Sequence, residues 1–150
     1  VTFRMSDGRA VGGGGGAGRL VAGWGFWQHW TLRTGLEIGG GALTDKNLAI
    51  NDVGTELFAT LPLTLRRVSE GWIYELEGAA VALGMPWRES VRYGARIGLL
   101  AGVSTLRLLD VLPWGGLAIS YEYVFGRGAL DDMWSIRAGL RVGFAWRPGS

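Results

Sequence analysis

Polar and apolar residues alternate along the C-terminal segment from Met133 to Trp146. Every even position from Trp134 onward is apolar, whereas every odd position is small or charged. A period of two is typical of a β-strand with two unlike faces, because successive side chains of a strand point to opposite sides. The segment therefore predicts a strand with one charge-free face.

The same alternation recurs in six upstream segments, which we place at residues 20–27, 32–39, 53–65, 72–82, 91–103 and 117–125. In all seven segments one face is apolar and carries no charged residue. The charged residues of the opposite face are Arg19, Arg33, Glu37, Glu56, Glu75, Glu77, Arg92, Arg96, Glu122, Arg137 and Arg141. Repeated strands of this kind are the signature of a membrane-spanning β-barrel.

An eighth strand is needed, because single-chain bacterial barrels have even strand numbers. The alternation in Val1–Met5 predicts the C-terminal part of a short or trimmed first strand. We interpret Ser6–Gly18, with its glycine run Gly12–Gly16, as a mobile first external loop, since such runs hold no fixed conformation without support.

The other connections alternate in length, as expected for short periplasmic turns and longer external loops. We place short turns at 28–31 and 66–71, a longer loop at 40–52, and intermediate loops at 84–90 and 126–132. The connection at 104–114 is long and apolar, and its role stays open at this stage.

The environment of the two faces distinguishes a membrane barrel from a soluble one. Glycines cluster on the charged face, which suits the crowded interior of a narrow barrel. Aromatic rings lie toward the ends of the apolar rows, as in the girdles at lipid headgroups. The predicted girdle consists of Trp24, Phe26, Trp72, Tyr74, Tyr121, Tyr123, Phe125, Trp134, Phe144 and Trp146. We therefore predict a single domain, 1–150, that forms an eight-stranded antiparallel up-and-down transmembrane β-barrel with a polar, side-chain-filled lumen.

Composition agrees with this prediction. The 150 residues have a mean hydropathy of +0.19 and contain no apolar run long enough for a transmembrane helix. Cysteine is absent, which excludes disulfides and thiolate metal sites. Lys46 is the only lysine beside 14 arginines, and arginine is preferred where cations pair with carboxylates in little water. No basic block suggests a nucleic-acid partner.

The chain resembles the small eight-stranded outer-membrane barrels of the OmpA and OmpX kind in the order of the segments "GRLVAGWGFW", "TLRTGLEIGG", "LFATLPLTL", "WIYELEGAAVALGM", "YGARIGLLAGV", "LAISYEYVFG" and "SIRAGLRVGFAW". The resemblance covers nearly the whole chain and lies in pattern alone. It implies residence in the bacterial outer membrane, a plugged lumen and roles in membrane integrity, adhesion, anchoring or small-molecule passage. Family members usually end on the terminal aromatic, so residues 147–150 suggest a trimmed further domain or a cloning remnant.

Candidates for catalysis are weak. Outer-membrane lipid A deacylases use Ser, His and a carboxylate, which would point to His29 with Ser120 or Ser135. Glu75 and Glu77 share a face and could be read as a glycosidase pair, although ion pairs with arginine explain them better. The glycine run lacks the Lys and Ser or Thr of a phosphate loop. We expect no enzyme activity, no cofactor and no metal site.

The expected function is a non-enzymatic outer-membrane scaffold or loop-mediated binding protein with the lipid bilayer as its surroundings. The alternatives are a soluble lipocalin-like calyx, whose apolar rows would line a cavity, and a lipid A-modifying enzyme. We expect any protein partner to contact Trp87, Pro86 and Met85 in an external loop. Inside, we expect Arg141 to pair with Glu122 on the preceding strand.

Overall fold

The structure is a computed structural model that describes residues 1–6, 9–45, 53–85, 90–104, 111–126 and 132–146. All regular structure in these ranges is β-strand. The strands are β1 (Thr2–Ser6), β2 (Arg9–Trp27), β3 (Trp30–Asp45), β4 (Val53–Ser69), β5 (Trp72–Met85), β6 (Ser90–Val103), β7 (Val111–Val124) and β8 (Met133–Trp146). The described residues contain no helix that is long and apolar enough to cross a membrane.

Each strand pairs antiparallel with the next one in the chain, and β1 also pairs with β8. The predicted all-β, antiparallel, up-and-down class is therefore confirmed. The connections alternate between two ends of the sheet. The turn end carries the tight turns Gln28–His29 and Glu70–Gly71, and the opposite end is the loop end. Glu70 and Gly71 have φ values of 51° and 83°, which suit a two-residue hairpin turn.

The short β1 closes the sheet at the loop end only. It pairs with residues 9–13 of β2 and 134–137 of β8. Val1 and Ala138 also exchange hydrogen bonds. Beyond these pairs, from Gly14 to Trp27 and from Gly139 to Trp146, each strand is paired with a described strand on one side alone. We call the space between these two edges the β2–β8 slot.

The glycine run is strand rather than loop, so the prediction of an external loop at Ser6–Gly18 is wrong. Residues 11–25 of β2 pair with 31–45 of β3, glycine against glycine in the centre. A Cβ atom on Gly41 would lie 2.7 Å from the Gly14 carbonyl oxygen and 3.3 Å from the Gly15 Cα. The absence of side chains lets the two backbones approach closely, and the neighbouring strand supplies the support that an isolated glycine run lacks.

Several predicted boundaries also move. The first strand extends to Ser6 rather than ending at Met5. Residues 40–45, assigned to the longer loop, continue β3 because they pair with β2 and β4. Residues 66–69 and 84–85 likewise belong to β4 and β5. Of the unassigned connection 104–114, Val111–Trp114 begin β7, and residues 105–110 lie outside the described residues.

The two faces of the sheet separate apolar from charged side chains. Large apolar side chains of the predicted rows lie on the outside, among them Leu57, Leu61, Leu99, Leu117 and Ile119, all more than half exposed. The charged residues lie inside. A small apolar cluster inside the loop end consists of Phe58, Leu83, Val124 and Met133.

Candidate functional site: the inner charge network

The inner face carries a network of arginines and glutamates contributed by β2 to β8. Within the described residues it comprises seven arginines and five glutamates, which is two positive charges in excess. These residues are Arg19, Arg33, Arg66, Arg92, Arg96, Arg137, Arg141, Glu37, Glu56, Glu75, Glu77 and Glu122. Eleven of them were predicted from strand parity, and Arg66 was not.

Glu77 on β5 is the centre of the network and is 2% exposed. Its Oε1 accepts a hydrogen bond of 2.8 Å from Arg96, and its Oε2 accepts one of 3.0 Å from Arg141. Arg19 also donates to Oε2. Arg96 reaches Glu37 at 2.8 Å as well. One carboxylate thus pairs with guanidinium groups from β2, β6 and β8.

Glu75 gathers a second group nearer the turn end. Arg33 donates to its Oε1 at 2.9 Å, and Arg66 binds the same carboxylate. The Arg66 guanidinium carbon also lies 4.4 Å from the ring centroid of Trp114, a cation–π contact. Sequence reasoning assigned Arg66 to a turn and left Trp114 unplaced. The even-numbered inner positions of β4, continued by two residues, would have found Arg66.

Arg137 organises the group nearest the loop end. It lies 3.1 Å from Glu122 and 3.3 Å from Glu56, and its guanidinium carbon is 4.5 Å from the ring centroid of Phe58. Arg92 is buried on the inner face. A guanidinium held by two carboxylates and a ring is well neutralised in a dry interior.

The expected pair between Arg141 and Glu122 is wrong. Arg141 lies 3.0 Å from Glu77 and 3.9 Å from Glu37, whereas Glu122 pairs with Arg137. The register explains this difference, because Glu122 is opposite Ser135 and Arg141 is opposite Gly116. Neighbouring strands therefore bring Arg137, not Arg141, to the level of Glu122.

The predicted aromatic residues form two groups on the outside. Those nearer the turn end are Trp24, Phe26, Trp72, Tyr74, Phe144 and Trp146, and those nearer the loop end are Tyr121, Tyr123, Phe125 and Trp134. Tyr93 joins the second group and was not predicted. Near the loop end Tyr121 and Trp134 stack with centroids 6.4 Å apart, and Tyr123 and Phe125 pack edge to face with centroids 5.6 Å apart.

The candidates for catalysis do not assemble. His29 lies in the turn between β2 and β3 at the turn end, whereas Ser120 and Ser135 lie toward the loop end of β7 and β8. Glu75 and Glu77 are each occupied by arginines. No group of three or more His, Cys, Asp or Glu side chains in the described ranges could hold a metal ion. Trp87 and Pro86 lie outside the described residues, as does the side chain of Met85.

Comparison of the chain with protein-family models, with curated proteins and with solved structures found no match.

Proposed function

We propose that the chain is an eight-stranded transmembrane β-barrel of a bacterial outer membrane, with the OmpA and OmpX kind of architecture, that acts as a non-enzymatic scaffold or loop-mediated binding protein. One observation carries the proposal: the apolar rows lie outside while the arginines and glutamates lie inside. A soluble domain orients its faces the other way. The lipocalin-like alternative needs apolar rows that line a cavity, and here those rows are on the outer surface.

The spacing of the two aromatic groups supports the same proposal. Trp134 and Phe144 lie on the outer face of β8, ten residues apart. At about 3.4 Å per residue and a strand tilt near 40°, this separation is about 26 Å along the barrel axis. The apolar band of an outer-membrane barrel is about 25 Å tall. Amphipathic rings at this spacing suit the two headgroup regions of one bilayer.

The inner network argues for a plugged lumen. Its ion pairs join strands that are not neighbours in the sheet, such as Arg141 on β8 with Glu77 on β5 and Arg137 on β8 with Glu56 on β4. Side chains that cross the interior leave no wide aqueous path. We therefore expect no steady conductance of porin size, and planar-bilayer recordings that show such conductance would contradict the plugged lumen.

The loop end provides the surface for a binding role, because it carries the connections 46–52, 86–89 and 125–132, whereas the turn end carries the two tight turns and the connection 104–110. External loops on a rigid scaffold are where binding residues usually lie. Capture of bound proteins from intact membranes would identify the partner. The same capture with Trp87→Ala would test whether the partner contacts this loop.

Membrane fractionation tests the proposal as a whole. The native protein should stay in the outer-membrane fraction after washing with high salt and should need detergent for extraction. Recovery of a stable monomer in plain buffer would overturn the proposal and would reopen the soluble alternative.

A further inference from the structure

Arg67 interrupts the apolar outer face at the turn end. The predicted outer row of the fourth strand stopped at Leu65, but β4 continues to Ser69 and carries Arg67 in the same row. Arg67 is exposed, and among strand residues whose exposure the structure describes it is the only charged one on the outer face. A cation on an otherwise apolar face needs a partner, so the surroundings of Arg67 decide what it binds.

Aromatic side chains flank Arg67 on both neighbouring strands. Its register partners are Trp30 on β3 and Tyr74 on β5. The Arg67 guanidinium carbon lies 5.7 Å from the ring centroid of Trp30, a cation–π contact. On the other side Tyr74 stacks with Trp72, with ring centroids 6.5 Å apart. Trp72 and Tyr74 belong to the aromatic group nearer the turn end, so Arg67 lies at the level of that group.

The Arg67 guanidinium has no carboxylate as a partner within the part of the chain that the structure describes. Its chain neighbour Arg66 lies on the opposite face of the sheet and binds Glu75 there. A guanidinium that stacks on a ring uses its flat face, and the N–H groups at its edge stay available to an acceptor. Arg67 can therefore donate hydrogen bonds to an anion that approaches the outer face.

The environment of the turn-end aromatic group identifies this anion. In the proposed membrane barrel that group lies among lipid headgroups, whose anions are phosphate diesters. A guanidinium binds phosphate through two parallel hydrogen bonds, and the Tyr74 hydroxyl and the Trp30 indole N–H are further donors. The described outer face of β3, β4 and β5 has no carboxylate to receive the ammonium group of a zwitterionic lipid. A phospholipid with a net negative charge therefore fits best.

We propose that Arg67, Trp30 and Tyr74 bind the phosphate group of an anionic phospholipid in the leaflet at the turn end. This inference rests on the proposed membrane function and deepens it by naming a lipid class and its site. Arg67 and Tyr74 donate to the phosphate, and Trp30 holds the guanidinium in place. The acyl chains lie along the outer row of β4, where Leu61 and Leu63 are more than half exposed.

A fluorescent label beside the site tests the proposal. The chain has no cysteine, so a bimane group at Leu65→Cys reports on the outer face of β4, two positions from Arg67 toward the loop end. The protein is refolded into phosphatidylcholine vesicles that contain a minor, equal fraction of phosphatidylglycerol or phosphatidylcholine with brominated acyl chains, which quench the label on contact. Quenching should show brominated phosphatidylglycerol at about fivefold the local concentration of brominated phosphatidylcholine, the preference expected from one basic residue near the membrane surface.

Matched variants locate this preference. Arg67→Gln should abolish it, and Arg67→Lys should keep part of it, because the charge remains while the planar fork and its stacking are lost. Glu70→Gln removes a charge from the adjacent turn and should not reduce it. A label at Leu117→Cys, on the outer face of β7, should be quenched equally by the two brominated lipids.

The possible outcomes separate failure of the site from failure of the membrane barrel. Equal quenching by the two lipids at Leu65→Cys, or a preference that survives in Arg67→Gln, would overturn the site and leave the barrel in place. A preference that inorganic phosphate removes, and sodium chloride of equal ionic strength does not, would assign the site to free phosphate and overturn the lipid proposal. Quenching by neither lipid at Leu65→Cys and Leu117→Cys would overturn the membrane function together with the site.

Discussion

The closed wall formed by β3 to β7 and the slot between β2 and β8 each place an arginine beside Glu37 and Glu77. The two arginines differ in how far they are exposed. In the wall, Arg96 binds Glu37 and Glu77 at 2.8 Å each and is 2% exposed. At the slot, Arg141 lies 3.9 Å from Glu37 and 3.0 Å from Glu77, and its side chain is 24% exposed. Strand coverage, rather than the choice of residues, therefore determines how dry an inner charge becomes. The wall therefore holds the driest part of the network.

The largest expected effect comes from Glu77→Gln, because this carboxylate joins the wall to the slot. The change removes the negative charge that Arg19, Arg96 and Arg141 share in the interior. Removal of one partner from a buried pair costs about 3 to 5 kcal/mol, so the variant should refold poorly in detergent or lipid. Unfolding in urea measures the loss. Glu70→Gln, the same change in the exposed turn between β4 and β5, should change the free energy of unfolding by less than about 0.5 kcal/mol. Similar values for the two variants would contradict the central role of Glu77.

The outer face of the wall is tested by Leu99→Arg. Leu99 is 59% exposed on β6, beside Leu76 and Ile119. If this face lies in hydrocarbon, arginine there should cost about 2 to 4 kcal/mol of folding free energy in lipid. On a face that lies in water, an exposed substitution stays within about 0.5 kcal/mol. Leu99→Ala is the size control, and an arginine variant that refolds into lipid like the alanine variant would count against membrane residence.

The alternation of polar and apolar residues could predict much of the wall formed by β3 to β7. Alternation identified which side chains share a face, and the eleven predicted charged residues lie together on the inner side. Parity carries no information on height along the barrel axis, which depends on strand pairing, and the pair of Arg141 with Glu122 was wrong for that reason. The glycine run was assigned to a loop because the conformational preference of glycine describes an isolated segment and ignores its neighbouring strands. The complementary glycines of β3 make it a strand, and this is a tertiary effect.

Two glycines, Gly41 on β3 and Gly18 on β2, give a smaller and more local comparison. A Cβ atom on Gly41 of β3 would press on the backbone of Gly14 and Gly15, whereas Gly18 faces open space. Gly41→Ala should destabilise the barrel by about 1 to 3 kcal/mol through overpacking. Gly18→Ala should stabilise it by up to about 1 kcal/mol, because the unfolded chain loses freedom and nothing clashes. Denaturant midpoints of the pair measure the difference, and a reversed order would show that β2 and β3 do not approach as closely as described.

The smallest effect is expected at the loop end, where Asp132 precedes β8. Its carboxylate accepts a hydrogen bond from the Tyr123 hydroxyl and one of 2.6 Å from the Gly126 amide. The hydrogen bond from Tyr123, followed by the one from Gly126, lowers the pKa of Asp132. The contribution to stability is therefore present above the ordinary pKa of the carboxyl and is lost as pH falls through the lowered value. Proteolysis between β7 and β8 should rise in acid for the parent and not for Asp132→Asn, and equal pH profiles would disprove the contact.

The most direct measurement of the account uses spin labels, since the chain has no cysteine and single sites are easily introduced. Nitroxides at Leu99→Cys and Ile119→Cys, on the outer face, and at Glu70→Cys, in a turn, report contact with oxygen, which concentrates in lipid, and with a water-soluble nickel complex. In lipid vesicles the two outer sites should meet oxygen and exclude nickel, whereas the turn site should meet nickel. Outer sites as accessible to nickel as the turn site would show that the apolar face lies in water and would contradict the membrane barrel.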